Sequence, residues 1–88
     1  MTDAVLHQRL MELAEALEVD VREVAAVDPP GGSCVLRGKR IIMVSQQADL
    51  AERIDLLART LARVPGVETR FVLPQVRDRL DRARGDAE

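Results

Sequence analysis

The sequence predicts an α+β domain: a small antiparallel β-sheet of two or three strands packed against an N-terminal helix, a central helix and a C-terminal helix. Three observations carry this reading. Leucines recur at helical spacing in two separate stretches, a pair of β-branched runs around a central glycine lies between them, and an amphipathic segment beginning at Pro74 closes the chain. With 88 residues, 47% of them hydrophobic and 32% charged, the chain suits one core and is too aliphatic for disorder. Phe71 is the only aromatic residue, so that core falls to Leu, Val, Ile and Ala. Residues 1–84 are expected to form the domain and 85–88 a frayed tail.

Leu6, Leu10, Leu13 and Leu17 follow one another at spacings of 4, 3 and 4, which places them on one helical face, with His7 and Glu15 turned to solvent. Thr2 or Asp3 supplies the N-cap. Val19 and Val21 alternate as in a strand. Asp20 and Glu23 also fit a capping box for a short helix over 21–27, and of the two we take the strand. Asp28-Pro-Pro-Gly-Gly-Ser33 reads as a loop.

Cys34 to Leu36 and Arg40 to Val44 form a hairpin about Arg37-Gly-Lys39, its basic tip in water. Cys34 then reads as a small buried apolar residue. Over 49–64, Asp49 caps a helix with Glu52 completing the box. Leu50, Ile54, Leu57 and Leu61 line its buried side, Asp55 and Arg59 pair across one turn, and Pro65-Gly66 ends it. Pro74 to Arg84 is a further amphipathic helix bearing Val76, Leu80 and Ala83, with an Asp78–Arg82 pair expected on its outer side.

Composition excludes several kinds of chemistry. One His and one Cys, far apart in the chain, make a poor ligand set for zinc. Asp49, Glu52 and Asp55 are explained by capping and an ion pair, and no calcium-loop pattern occurs. Ser33 and Cys34 have only His7 as a candidate base. Gly31-Gly32 is not followed by the Gly-Lys-Ser/Thr of a phosphate loop. The expectation is a protein without catalytic residues, metal or cofactor. A lone cysteine, a start lacking a basic stretch followed by an apolar one, and no apolar run of membrane-spanning length point to a cytoplasmic protein with no membrane partner.

Charge is sorted along the chain. Residues 1–30 carry seven acids against two bases, and residues 31–70 carry seven bases against four acids. The two halves can attract each other, or the basic half can face a partner. Arg37, Lys39 and Arg40 at the hairpin tip are the candidates for gripping phosphate. The net charge of −2 and the lack of an aromatic stacking platform argue against nucleic acid as the main partner.

In the central helix, Leu57-Ala58-Arg59-Thr60-Leu61-Ala62-Arg63, preceded by a helix, a strand and a hairpin, resembles the zinc-binding stretch Leu-Ala-His-Glu-Leu-Gly-His of the ImmA/IrrE-like zinc metallopeptidases. The resemblance covers roughly residues 5–64. It implies that Arg59 and Arg63 stand where that family has zinc-ligating histidines, and Thr60 where it has the general-base glutamate. Arginines remain charged and repel a metal ion, so the resemblance implies a relative that has lost catalysis and kept binding.

The function expected from the sequence is a non-catalytic protein-binding or adaptor module, acting on a protein partner or on a second copy of itself as a homodimer. Arg59 and Arg63 on the central helix and Val76 and Leu80 on the last helix are its expected contacts. The alternatives are a nucleic-acid-associated regulator using the basic hairpin and helix, and a subunit of an enzyme whose catalytic residues lie on another chain.

Overall fold

The first leucine stripe becomes helix α1, Asp3–Ala16, in the computed structural model, which describes residues 1–25 and 31–86. Thr2 Oγ1 accepts from the Val5 N–H at 3.2 Å, satisfying a donor that the first turn leaves open. Leu10, Leu13 and Ala14 are buried. Glu18 turns the chain with a left-handed φ of 60°, and the Val19 N–H donates to the Ala14 carbonyl at 2.8 Å. That return delivers the chain directly into the sheet.

The sheet has strands β1 (Asp20–Val24), β2 (Gly31–Leu36) and β3 (Lys39–Ser45) in the order β1-β3-β2. β2 and β3 form the expected antiparallel hairpin. β1 is a strand, and it pairs with β3 in parallel, so the sheet is mixed. Parallel neighbours need a long connection. Here residues 25–38 supply it, and they include β2 itself on the far side of β3. Gly31 to Ser33, expected in the loop, belong to β2. The rest of that loop, 28–30, lies outside the described residues, as do 26–27 of the alternative helix.

Helix α2, Leu50–Leu61, carries the capping box read from the sequence. The Glu52 N–H donates to Asp49 Oδ1 at 2.8 Å, and the Asp49 N–H to Glu52 Oε1 at 3.1 Å. Ile54, Leu57, Ala58 and Leu61 are buried, while Leu50, expected on that stripe, is exposed on the first turn. Gly66, at φ 89°, lets the chain reverse into a 3-10 turn at Val67–Thr69, after which helix α3 runs from Pro74 to Asp86. Gly85 and Asp86, expected to fray, continue this helix. Residues 87–88 lie outside the described ones.

α1 and α2 cover one face of the sheet, and α3 packs on α2 and α1. Ile42 and Val44 of β3 join Leu10, Leu57, Leu61, Val67 and Leu80 in a wholly aliphatic core. Ile41 and Met43 alternate onto the opposite face, outside that cluster. Among the described residues no helix is long and apolar enough to cross a membrane.

Candidate protein-binding edge

The structure corrects two of the expected contacts. Val76 (3% exposed) and Leu80 (fully buried) belong to the core, because α3 folds back and spends its apolar stripe on α2 and α1. Arginines fasten this return. Arg77 Nη2 donates to the carbonyls of Val67 and Arg70 at 2.9 and 2.7 Å, and Arg84 Nη2 to that of Ala62 at 2.9 Å. Arg79 reaches Asp55 at 3.3 Å. On the outer side of α3 the expected Asp78–Arg82 pair is not among the ion pairs of the described residues.

The hairpin tip is built by Arg37 (φ 52°) and Gly38 (φ 79°), a two-residue turn of the I′ type with Leu36 and Lys39 as its closing pair. Arg37, Lys39 and Arg40 do come together there. They line a cleft of about 770 Å³ whose other walls include Glu15, Glu18 and Asp20. Three cations thus face three carboxylates of the acidic first half, and the sorted charge is in part satisfied within the molecule.

Arg59 and Arg63 lie elsewhere, one turn apart along α2 and its C-terminal extension, and both are exposed. Arg59 Nε donates to Asp55 Oδ2 at 2.9 Å, as expected, which leaves its terminal nitrogens free for a further partner. Arg63 enters no ion pair among the described residues. Thr60, between them, is 6% exposed and turned inward. The two arginines border a groove with Gly31, Gly32 and Ser33 of β2, floored by Leu56 and Thr60, about 500 Å³ in volume. An adjoining hollow of about 320 Å³ is lined by Gly31, Val44, Ala48, Leu56, Glu52, Asp55 and Arg59.

The other wall of this groove is the outer edge of β2, which no other strand among the described residues covers. Bonded and non-bonded pairs alternate in an antiparallel ladder. Counting from the closing pair, Leu36, Cys34 and Gly32 exchange hydrogen bonds with β3, and the N–H and C=O groups of Val35, Ser33 and Gly31 point away from it. The side chains of Ser33 and Val35 lie on the face of Ile42 and Val44, toward α2, and a Cβ at Gly31 would point the same way. Gly31 has to be glycine: a Cβ there would come within 2.6 Å of Leu56 Cδ2 and of the Met43 carbonyl oxygen. Leu56 therefore closes down on β2 at one end, and the groove opens toward Ser33.

Sequence reasoning missed this edge because it depends on β3 taking the central place. Cys34, expected to be buried, is exposed on the face of the sheet turned away from α2. Phe71, the sole aromatic, is 86% exposed beside Leu73, next to a shallow hollow shared with α1. His7, expected in solvent, is half-buried. Its pKa is lowered from the ordinary histidine value by partial burial and, secondarily, by the Arg53 charge. Among the described residues no three of His, Cys, Asp and Glu gather into a metal-ligating cluster.

No protein-family model matches the chain, and no curated protein or solved structure matches it.

Proposed function

We propose that the protein is a non-catalytic binding module that takes an extended segment of a partner protein onto the outer edge of β2, alongside α2. The observation that carries this reading is the edge itself. Gly31-Gly32-Ser33-Cys34-Val35-Leu36 holds no charge and no proline, and the outward backbone groups of Gly31, Ser33 and Val35 have no strand partner among the described residues, those of Gly31 and Ser33 beside a groove. Proteins ordinarily guard such an edge with charge, proline, a bulge or a covering element, because it templates the addition of another strand. Main-chain hydrogen bonds then give affinity, and side-chain pockets on alternate positions give specificity. On the same reading, the resemblance of α2 to the zinc-binding helix of ImmA/IrrE-like peptidases is that of a relative in which Arg59 and Arg63 serve binding. Phosphate gripping at Arg37, Lys39 and Arg40 is disfavoured by the carboxylates across their cleft.

Peptides selected from a displayed random library against the whole protein test this reading. Ser33→Pro removes a donor that faces the partner and none that faces β3. It should abolish capture of the selected peptides while the far-UV spectrum and melting temperature stay close to the parent's. Undiminished capture by a folded Ser33→Pro protein would overturn the edge as the binding site.

A further inference from the structure

We infer that the segment accepted at this edge alternates acidic and apolar side chains, with the carboxylates on the α2 side of the sheet. The inference rests on the edge-strand reading above and adds the chemistry of the partner.

Any strand paired to β2 must place its own alternate side chains toward α2 and the others over the opposite face. The two sides offer different chemistry. On the α2 side, beyond Leu56, stand Arg59 and Arg63. Asp55 takes only the Nε of Arg59 and is itself shared with Arg79 Nη2, so it leaves guanidinium donors over, and Arg63 has no carboxylate partner among the described residues. Arg59 in the last turn of α2 and Arg63 in the turn that follows it are four positions apart, a rise of about 6 Å along the axis at helical pitch. Side chains at i and i+2 of a strand are separated by roughly 6.6 Å. Two carboxylates on alternate positions therefore match two guanidiniums one turn apart, each able to accept a charge-assisted pair of hydrogen bonds.

At the Gly31 end the lining changes to Val44, Ala48 and Leu56 with Glu52 and Asp55, which rejects a third acid and suits an apolar side chain. On the face opposite α2 the neighbours of the added strand are Cys34 and Leu36, both exposed. The matching segment thus carries acids opposite Ser33 and Val35 and apolar residues between them.

A second copy of the chain fits this site poorly. Antiparallel pairing of two β2 edges about Ser33 would bring Arg59 and Arg63 of both copies to one side, and Gly31–Leu36 supplies no carboxylate to meet them. A nucleic-acid strand has no N–H donors along its sugar-phosphate backbone to pair in series with the outward carbonyls of β2, and the groove lining contains no aromatic side chain for base stacking.

The test uses the intact protein and fluorescein-labelled short peptides alternating Val with Glu, Val with Gln, and Val with Lys, read by anisotropy at fixed salt. The Glu peptide should bind at least about tenfold more tightly than the Gln peptide. Arg63→Glu, a change on the exposed surface, should erase that preference and improve binding of the Lys peptide. Equal affinity for the Glu and Gln peptides, or a preference unchanged in Arg63→Glu, would overturn the acidic specificity. If library-selected peptides still lose binding in Ser33→Pro, the edge-strand reading survives that failure; if they do not, both readings fall. A dimer seen by sedimentation and dissolved by Ser33→Pro would assign the edge to a second copy and overturn the inference. So would displacement of the Glu peptide by an oligo-dT strand at comparable concentration.

Discussion

β1 and β2 are the two outermost strands of one sheet, bonded to the same central strand, and they are built from opposite chemistry. β1 reads Asp20-Val-Arg-Glu-Val24 and is charged along its length. Arg22 Nε holds Asp20 at 2.7 Å, and Glu23 lies 2.6 Å from Arg53 Nη1. Arg53 also donates to the carbonyls of Ala48 and Ser45, which ties that edge to the start of α2. β2 has neither charge nor staple. Charged edge strands resist the addition of another chain, so β1 is the guarded edge and, on the function we propose, β2 is the receptive one.

The largest expected effect is in backbone exchange. Amide protection along β2 should alternate, with Gly32, Cys34 and Leu36 protected and Ser33 and Val35 exchanging faster by about an order of magnitude or more in a hydrogen–deuterium NMR series. Uniform protection along the strand would mean that the edge is covered, and the contrast with β1 would be lost. Binding of a partner segment should slow the two fast amides and leave β1 unchanged.

Next comes Gly31→Ala. The added Cβ meets backbone as well as Leu56, so urea unfolding should register a loss of about 1–3 kcal/mol. Gly32→Ala, with nothing within 4 Å of its Cβ, is the control and should stay within about 0.5 kcal/mol of the parent. Equal losses would show that Leu56 yields and that the closed end of the groove is soft.

Arg37→Asn should act in the other direction. Position 37 requires a positive φ, which Asn tolerates better than Arg, and Asn-Gly is a preferred pair for a I′ turn. A gain of about 0.5–1 kcal/mol in the same urea assay is expected. It should come without any change in peptide binding, since the tip lies in a different cleft from Arg59 and Arg63.

The smallest effect concerns the guarded edge. His7 has its pKa lowered in the folded protein, so the unfolded chain takes up the proton first as pH falls. Its contribution to stability is complete above the ordinary histidine value of about 6.5 and is lost as pH drops through the lower folded value. Urea midpoints taken from about pH 7.5 down to about pH 5.5 should decline in the parent and decline less in His7→Gln. A parallel decline in both proteins would assign the pH response to other groups.

What could be read from the sequence was local. The Thr2 cap, the Asp49–Glu52 box, the Asp55–Arg59 pair and the β2–β3 hairpin are each fixed by residues a few positions apart, and each is found. The parallel partner of β1 depends on a connection that includes another strand, and no local pattern encodes it. Val76 and Leu80 show a different limit. An amphipathic stripe looks the same whether it docks on its own domain or on a partner, and only the return of the chain through Gly66 decides the matter. Cys34 shows a third, because the inward parity of a strand cannot be assigned until one knows which face the helices cover. Arg59 and Arg63 could be singled out in the sequence, but the neighbour on which their proposed role rests, a strand edge without a partner among the described residues, could not.

Cys34 also gives the edge a chemical address. It is the only thiol in a chain that has neither tryptophan nor tyrosine, and it sits exposed between Ser33 and Val35. A maleimide dye or nitroxide attached there would be a sole reporter, one residue from the outward amides and projecting over the opposite face. Any tryptophan emission in a mixture would belong to the visitor, and energy transfer or paramagnetic broadening from position 34 would measure how closely, and in which direction along the strand, that visitor lies.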